Sequence, residues 1–415
     1  MVTKTVAALA ACGALLIYLS WLCYVRSCLP PVILIPGDGG NQIEGKLDKS
    51  RVVHFFCLKQ TTGYVNLWFN LNLLLPFVID CWVDNMRLIY DNVTRTTSDS
   101  PGVTTRVPGF GSTAGMEFLD PLHTFPSRYF VNIAEKLTES GYERGSNLLG
   151  APYDFRKAPN ELEEFFQKFR QLVEDAFQAS NGCKVVLVAH SYGGPLMLYF
   201  FSTVSQEWKN TYVGALISLS AAWAGCVKPI KAVAAGDNLN IFFLDEFSIR
   251  KEQRSSPSIH FLFPSPHFWG KNEILVSRPS KNYSSADYAA FYADIGDLDG
   301  YEMYKDVKDL IDPRIPPGVE VHCLYGVGVD TWERIFYDDD ASFPDEPSAL
   351  VNGDGDGTVN LRSLQACKFW EGKQKHSIYA LPLRGIDHLE ILRNEFVLSY
   401  VAKVAKRFRS NLLRF

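Results

Sequence analysis

The chain has 415 residues, of which 47% are hydrophobic and 21% are charged, and its formal net charge is −5. This composition provides enough apolar side chains for a large buried core and excludes an intrinsically disordered chain. The small net charge, without long blocks of like charge, gives no electrostatic basis for binding nucleic acid. The sequence does not indicate an oligomeric state.

A long apolar segment opens the chain. No charged residue lies between Lys4 and Arg26, a length that suits either a cleaved signal peptide or an uncleaved signal-anchor. Both interpretations of residues 1–29 predict entry into the secretory pathway, an oxidising environment where disulfides form. Sequons at Asn92 and Asn282 predict glycosylation on the same route.

Five short apolar runs predict buried strands. They lie at residues 30–37, 184–190, 212–220, 319–326 and 377–383. Because these runs are apolar throughout, they favour a sheet that is covered on both faces. Helical patterns that begin near residues 127 and 161 lie between them, so we expect an α/β fold with a mainly parallel central sheet.

Two long segments interrupt this alternation of strands and helices. Residues 51–125 and 221–318 are too long for ordinary connections, so we expect inserted subdomains, lids or binding loops. The central α/β core would then consist of residues 30–50, 126–220 and 319–415.

The stretch VVLVAHSYGGP, residues 185–195, carries a candidate nucleophile. Residues 189–193 read A-H-S-Y-G, a variant of the G-x-S-x-G elbow with Ala189 in place of the first glycine. Such an elbow presents the Ser191 hydroxyl at the carboxyl end of the sheet of an α/β-hydrolase fold. The pentapeptide alone is equally compatible with a serine that caps the following helix.

His388 is the histidine best placed to serve as the base. Triad residues in α/β-hydrolases follow the order Ser, Asp, His, and His388 lies between the last predicted strand and the last predicted helix. Of the others, His190 adjoins the serine, His322 lies within a predicted strand and His376 precedes the last one.

The glycine-rich stretch NGDGDGTVN, residues 352–360, offers Asp354 and Asp356 as the acid of a triad. The stretch also matches the opening of an EF-hand loop, but the twelfth position is Ser363 rather than the bidentate glutamate that calcium requires. We therefore expect a triad carboxylate here and no metal site.

The stretch IPGDGGN, residues 35–41, follows the first predicted strand and suits an oxyanion loop. Acyl transfer needs hydrogen-bond donors for the tetrahedral oxyanion. The backbone N–H of Asp38 and that of Tyr192, the residue after the serine, are the predicted donors. A plain turn is the alternative interpretation of this loop.

Seven motifs together resemble the lecithin:cholesterol acyltransferase family, from about Pro31 to about Lys406, most closely its lysosomal phospholipase branch. They are, in order, PGDGGNQIE, RVPGFG, GAPYDFR, AHSYGG, CLYGVGV, GDGDGTVN and LRGIDHLEIL. The resemblance implies an α/β-hydrolase fold without a cofactor. It implies Asp356, rather than Asp354, as the acid that joins Ser191 and His388, with the amides of Asp38 and Tyr192 as the oxyanion hole.

The resemblance further implies two disulfides, Cys57–Cys81 and Cys323–Cys367, and leaves Cys183 and Cys226 free. It implies that the 51–125 insertion binds membranes and that the 221–318 insertion forms a cap or lid. An apolar cluster between Cys57 and Cys81 is the expected lipid contact, and an ordinary core helix is the alternative. Its members are Trp68, Phe69, Leu71, Leu73 and Leu74.

The implied function is that of a serine lipid acyl hydrolase and transacylase. It would cleave glycerophospholipids of membranes or lipoprotein surfaces without calcium and pass the acyl group to water or to a lipid alcohol such as ceramide. The implied location is the lysosome, with secretion or membrane anchoring as alternatives. A cholesterol-type acyltransferase and an inactive lipid-binding protein are the alternative functions.

Two departures from the family pattern lie near the expected site. Gly194 replaces a different residue, and SAAWAG, residues 220–225, replaces GAPWGG. These changes put the choice of acceptor and the behaviour of the lid in doubt, but they leave the expected triad intact.

Overall fold

The computed structural model describes residues 29–241 and 243–408; apart from Leu29, the expected targeting segment lies outside them. Within these ranges no helix is both long enough and apolar enough to cross a membrane. The strands are β1 Val32–Ile35, β2 Ile43–Leu47, β3 Val65–Trp68, β4 Leu88–Asp91, β5 Thr96–Asp99, β6 Val103–Arg106, β7 Leu148–Gly150, β8 Val185–His190, β9 Val213–Leu219, β10 Val276–Arg278, β11 Lys281–Tyr283, β12 Val321–Val327, β13 Val329–Phe336, β14 Ala349–Gly355 and β15 Ile378–Arg384.

The helices are also numbered in chain order. They are α1 Ile79–Met86, α2 Ala114–Glu117, α3 Val131–Glu139, α4 Glu163–Ala179, α5 Gly193–Thr203, α6 Gln206–Tyr212, α7 Lys228–Ala234, α8 Glu246–Arg254, α9 Pro257–Phe261, α10 Pro266–Trp269, α11 Tyr288–Asp294, α12 Leu298–Val307, α13 Leu361–Leu364 and α14 Glu395–Arg407. Short 3₁₀ turns lie at Phe125–Ser127, Pro159–Glu161, Ser285–Asp287, Gln365–Trp370 and Glu390–Leu392.

A six-stranded sheet in the order β15-β12-β9-β8-β1-β7 forms the centre of the fold. Every neighbouring pair in it is parallel, which confirms the predicted α/β class. The five predicted runs overlap five of these strands, β1, β8, β9, β12 and β15. The sixth, β7, is three residues long and was not predicted.

Both faces of this sheet are buried at its central strands β1, β8 and β9, which is why these strands are almost entirely apolar, whereas the edge strand β15 is partly exposed. Ile33 and Ile35 of β1 belong to one hydrophobic cluster, together with the buried face of α4. Val32 and Leu34 belong to a second cluster on the opposite face, together with α3 and α14. The 3.6-residue period of α4 therefore marks the side that packs on the sheet.

The segments expected as insertions contribute strands to smaller sheets beside the central one. Residues 51–125 contribute to an antiparallel sheet in the order β3-β2-β6 and form the β4-β5 hairpin. In the second segment, β10 and β11 join β13 and β14 in a four-stranded sheet in the order β11-β10-β13-β14. That sheet thus combines residues 276–283 with residues 329–355, which follow the core strand β12.

The structure contains the disulfides Cys57–Cys81 and Cys323–Cys367. Cys226 is a buried free thiol, as the resemblance implies. Cys183 is disulfide-bonded, so the expectation that it is free is wrong. Both sequon asparagines, Asn92 and Asn282, are exposed.

The expected lipid contacts between Cys57 and Cys81 need correction. Trp68, Phe69 and Leu74 are buried, with exposed fractions of 7%, 8% and 0%, and Leu71 and Leu73 are partly buried against the same core. Apolar side chains serve a core and a lipid interface equally well, so their number could not tell the two apart. Other apolar residues in and beside this stretch are exposed, among them Phe55, Phe56, Leu58, Leu75 and Phe77.

Candidate active site

Ser191 lies on a sharp turn between β8 and α5. Its φ is +53°, a left-handed conformation that costs a non-glycine residue about 1–3 kcal/mol and is typical of functional sites. Small neighbours make the turn possible: a Cβ on Gly193 would lie 2.6 Å from the Pro36 carbonyl oxygen, and one on Gly37 would lie 2.6 Å from the Ser191 Cβ. The loop after β1 therefore packs directly on the elbow.

The structure brings the three predicted triad side chains together. Nε2 of His388 lies 2.9 Å from Oγ of Ser191, and Nδ1 of His388 lies 2.7 Å from Oδ2 of Asp356. A backbone hydrogen bond also joins these two residues, since the His388 N–H donates to the Asp356 carbonyl oxygen at 2.8 Å. This geometry allows His388 to accept the serine proton while Asp356 holds the ring.

Asp356 is fully buried and remains ionised because its oxygens are satisfied. Burial alone would raise its pKa, but His388 and the N–H groups of Thr358 and Val359, at 3.0 Å and 2.7 Å from Oδ1, hold the pKa of this carboxyl below its usual value. The neighbouring Asp354 is exposed and accepts a hydrogen bond from the Gly328 N–H instead.

A buried hydrogen-bond chain that the sequence did not predict runs behind the elbow. The Gly37 N–H donates to the Tyr129 hydroxyl oxygen at 2.9 Å, that hydroxyl contacts Nδ1 of His190, and Nε2 of His190 lies 2.9 Å from the His388 carbonyl oxygen. Because a carbonyl only accepts, Nε2 carries the proton and Nδ1 accepts from Tyr129. The chain joins the loop after β1, the elbow and the loop of His388.

His190 remains neutral in this chain over a wide pH range. Burial, followed by the proximity of His388, lowers the pKa of His190 to about 3. A neutral imidazole keeps one donor and one acceptor, so the hydrogen bonds on both sides of the ring persist in acid. His190 is thus placed to support His388 and does not itself contact Ser191 through a hydrogen bond among the described residues.

The expected oxyanion donors, Asp38 and Tyr192, belong to the loop after β1 and to the elbow after β8. Asp38 and Ser191 line the same cavity, and within the described residues no hydrogen bond occupies the backbone N–H of Asp38 or Tyr192. Trp68 fixes the loop, since its Nε1 donates to the Gly39 carbonyl oxygen at 2.7 Å. Trp68, which was expected to contact lipid, thus supports the loop after β1 instead.

The Asp38 side chain faces the cavity and shares it with a lysine. It is accessible from the cavity, but the surrounding protein still reduces its hydration, and this desolvation raises the pKa of Asp38 to about 7. Lys228 partly opposes the rise. Lys228 in turn lies 3.4 Å from the carboxylate of Asp237.

The cavity itself has a volume of about 900 Å³. Ser191, Asp356 and His388 lie on its wall, and much of the remaining lining is apolar, including Trp68, Phe69, Leu71, Leu239 and Ile259. An apolar cavity with a few polar groups at the reacting centre suits a lipid ester. Among residues 29–241 and 243–408, no group of three or more His, Cys, Asp or Glu side chains is arranged to hold a metal ion.

The two departures from the family pattern contact one another. A Cβ on Gly194 would lie 2.4 Å from the Cβ of Ala221. Ser220 has a φ of +48° where the family pattern has glycine, and its buried hydroxyl has no hydrogen-bond partner in the described structure. The close approach of the 220–225 segment therefore explains why residue 194 has no side chain.

Comparisons with known proteins identify relatives of this chain. A family model described as lecithin:cholesterol acyltransferase matches residues 64–314 and 301–395. The lysosomal phospholipase A and acyltransferase of Mus musculus is 46% identical over 375 residues, which cover 90% of each protein. The phosphatidylcholine-sterol acyltransferase of Gallus gallus is 40% identical over 370 residues, which cover 89% of each.

A solved structure supports the fold alone. A chain of the Tle4–Tli4 complex matches with a TM-score of 0.51 and 12% identity, covering 92% of this chain and 99% of that one. The expected α/β-hydrolase fold is thus confirmed. On the family model and on relatives that exceed 40% identity over most of their length, the chain belongs to the lecithin:cholesterol acyltransferase family.

Proposed function

We propose that the protein is a serine lipid acyl hydrolase and transacylase that performs a phospholipase A-type reaction. One observation carries the proposal: Ser191, His388 and Asp356 form a continuous hydrogen-bonded chain on the wall of a largely apolar cavity. The mammalian relatives, named lysosomal phospholipase A and acyltransferase, support the substrate class.

The first step forms an acyl-enzyme. His388 accepts the proton of Ser191 as the oxygen attacks the ester carbonyl of a glycerophospholipid, and Asp356 stabilises the imidazolium. The N–H groups of Asp38 and Tyr192 donate to the oxyanion of the tetrahedral intermediate. His388 then protonates the leaving alkoxide, and the lysolipid departs.

The second step determines the product. His388 deprotonates either water or the hydroxyl of a lipid alcohol such as ceramide, and that oxygen attacks the acyl-serine. Water yields a free fatty acid, and the alcohol yields a new ester. Both reactions regenerate the Ser191 hydroxyl. The EF-hand-like stretch supplies the triad acid, because its Asp356 is engaged by His388, so we expect activity without calcium.

The exposed apolar residues around the Cys57–Cys81 disulfide are the proposed contact with the membrane or lipoprotein surface. Phe55 and Phe77 have exposed fractions of 97% and 87%, and Leu58 and Leu75 are also exposed. Exposed aromatic and aliphatic side chains of this kind bind the boundary between headgroups and acyl chains. The lysosome, which the names of the relatives give, is the proposed location.

An assay with phospholipid liposomes, with and without ceramide, tests the proposal. The wild type should release fatty acid and, with ceramide present, form an acylated ceramide. Ser191→Ala should abolish both products, whereas Ser202→Ala, an exposed serine on α5, should retain both. Fatty-acid release by folded Ser191→Ala would contradict the proposed nucleophile, and a wild type without turnover would favour an inactive lipid-binding protein.

A sterol acceptor is the second candidate, favoured by the identity of 40% to the phosphatidylcholine-sterol acyltransferase of Gallus gallus. The same liposomes with cholesterol in place of ceramide separate the two activities. We expect ceramide to be the better acceptor. Faster formation of cholesteryl ester would reverse that order while leaving the triad chemistry unchanged.

A further inference from the structure

Arginine and lysine side chains line the active-site cavity at four described positions, and two of them are paired with carboxylates. The four are Arg128, Arg156, Lys228 and Arg393. The guanidinium of Arg156 lies 2.7 Å from the carboxylate of Asp154, and the ammonium of Lys228 lies 3.4 Å from that of Asp237. The charge of each of these two cations is therefore balanced within the protein.

Arg128 and Arg393 carry charges that the described part of the chain does not balance. Both side chains are exposed, and neither forms an ion pair or a side-chain hydrogen bond within residues 29–241 and 243–408. The Arg128 guanidinium lies 5.5 Å from the centre of the Phe125 ring. Contact with an aromatic face leaves the N–H donors at the edge of the guanidinium free.

The segments that carry the two arginines are neighbours. Arg128 lies just before α3 and Arg393 just before α14, and these helices share one hydrophobic cluster. The Nζ of Lys136 on α3 lies 3.8 Å from the carboxylate of Glu395 on α14. Asn132, one turn before Lys136, lines the same cavity, and its side-chain amide has no hydrogen bond in the described structure. Two guanidinium groups and one amide therefore border the cavity from adjacent segments.

Arg393 is held by the turn that follows His388. One oxygen of the Asp387 carboxylate accepts hydrogen bonds from the N–H groups of Leu389 and Glu390, at 2.9 Å and 2.6 Å. The Arg393 N–H donates to the Glu390 carbonyl oxygen at 2.9 Å. The nearby carboxylate of Asp387 is thus engaged by the backbone, and the backbone of Arg393 is fixed relative to the proposed base.

Arg128 is held by its own backbone and by the residue that follows it. The Arg128 N–H donates to the Phe125 carbonyl oxygen at 3.3 Å. Tyr129 is buried, and its hydroxyl contacts Nδ1 of His190 in the chain that leads to His388. The backbones of both arginines are therefore tied to the elements that hold the triad.

The proposed substrate carries an anion that suits these two side chains. In a glycerophospholipid only the short glycerol linker separates the phosphodiester from the ester carbonyl that Ser191 attacks. A guanidinium donates two parallel N–H bonds to phosphate oxygens, a geometry that a lysine ammonium does not offer. Cations without a carboxylate partner, close to the reacting serine, are thus complementary to the phosphate of the headgroup.

We propose that Arg128, Arg393 and Asn132 form a subsite that binds the phosphodiester of the substrate headgroup. The proposal rests on the proposed function, since the phosphate belongs to the lipid whose ester Ser191 cleaves. The subsite would hold the phosphate while the acyl chain occupies the apolar lining of the cavity. It would act on a single lipid molecule, independently of binding to a membrane, and would favour phospholipids over neutral esters.

Turnover of monomeric substrates by the full chain tests the subsite. The substrates are dihexanoyl phosphatidylglycerol, kept below its critical micelle concentration, and the neutral ester nitrophenyl hexanoate. Arg128→Gln and Arg393→Gln should each raise KM for the phospholipid about tenfold, because each removes a charged hydrogen bond to the phosphate. Asn132→Ala should raise it by a smaller factor, because only a neutral donor is lost. The kcat for the phospholipid and both constants for the neutral ester should stay at wild-type values.

Arg334→Gln is the matched control. Arg334 is an exposed arginine on β13 that does not line the cavity and forms no ion pair within the described residues. Its substitution should leave KM for the phospholipid unchanged. An Arg128→Gln, Arg393→Gln double variant with the wild-type KM would overturn the proposal. An equal loss on the phospholipid and on the neutral ester would overturn it as well, because that result indicates a general defect of the site.

A short-chain diether phospholipid separates this proposal from the proposed function. This lipid has no ester to cleave, so calorimetry measures its binding whether or not the protein is an enzyme. If the wild type cleaves neither substrate, the proposed function fails, and weaker binding of the diether by the double variant still supports the subsite. Equal binding by the wild type and the double variant would overturn it. Inorganic phosphate that binds the wild type as tightly as the diether would indicate a site for free phosphate and would also overturn the proposal.

Discussion

A single buried hydroxyl at Tyr129 links the loop after β1 to the loop of His388, the proposed base. The hydroxyl oxygen accepts a hydrogen bond from the Gly37 N–H, and the hydroxyl contacts Nδ1 of His190. Nε2 of His190 donates to the His388 carbonyl oxygen. Because the geometry of an active site is sensitive to displacements of 1 Å, Tyr129 is a positioning residue even though it is remote from the ester.

Tyr129→Phe tests this link with almost no change in volume. The substitution leaves the Gly37 N–H and Nδ1 of His190 unpaired in a buried environment, so we expect kcat on a soluble ester to fall by about ten- to a hundredfold. KM should change much less. Tyr199→Phe, at a partly exposed position on α5, is the matched control. An unchanged kcat in a variant that melts like the wild type would contradict the link.

The contact between Gly194 and Ala221 yields a second prediction. Gly194→Ala adds a methyl group at a position where a Cβ would lie 2.4 Å from the Ala221 Cβ. We therefore expect the free energy of unfolding to fall by about 1–3 kcal/mol. Ala221→Gly removes the opposing methyl, and the double variant should recover most of the loss. Strictly additive losses in urea unfolding would argue against a direct clash.

At the scale of the elements, Arg156 connects the core to the 51–125 insertion. Its guanidinium is 1% exposed and binds Asp154, Asp99 and the carbonyl oxygen of Met86 at the end of α1. One buried cation therefore joins the loop after β7 to both a helix and a hairpin of the insertion. The planar, five-donor shape of arginine matches this set of acceptors.

Arg156→Lys should destabilise the fold although it conserves the charge. Lysine reaches fewer of these acceptors and leaves carboxylates unpaired in the interior, so we expect the free energy of unfolding to fall by about 3 kcal/mol. Arg170→Lys, in an exposed pair with Glu174 on α4, should change it by less than about 0.5 kcal/mol. Equal urea midpoints for both variants would contradict this account.

The burial and length of each strand decide whether the sequence could predict it. Strands such as β8 and β9 were predictable because burial on both faces makes them apolar throughout, whereas β7 is too short for such a pattern. Order along the chain selected Ser191 and His388, but residue type could not separate Asp356 from Asp354. Tyr129 escaped notice because its partners lie 61 and 92 positions away in the sequence.

At the scale of the whole molecule, buried carboxyl groups link stability to pH. Burial, followed by the charge of Asp38, raises the pKa of Glu252 to about 8, while an unfolded glutamate titrates near 4.5. Between these values the folded state keeps a proton that the unfolded state has released. The contribution of Glu252 to stability is therefore complete at acidic pH and is lost as the pH rises towards 8.

Glu252→Gln removes this dependence. The free energy of unfolding of the variant, relative to the wild type, should rise between pH 5 and pH 8, by up to about 1.4 kcal/mol per pH unit. Urea unfolding at pH 5, 6.5 and 8 measures the difference. Glu164→Gln, at an exposed position on α4, should follow the wild-type curve. Parallel curves for Glu252→Gln and the wild type would refute the assignment of a raised pKa.

The four-stranded sheet β11-β10-β13-β14 has a practical consequence for engineering. Its strands come from two stretches of sequence separated by the core strand β12, and β14 ends one residue before Asp356. A chimera that exchanged residues 221–318 alone with a relative would join foreign strands to native ones at the β10-β13 boundary. An exchange that keeps this sheet intact therefore has to include residues 329–355 together with residues 221–318.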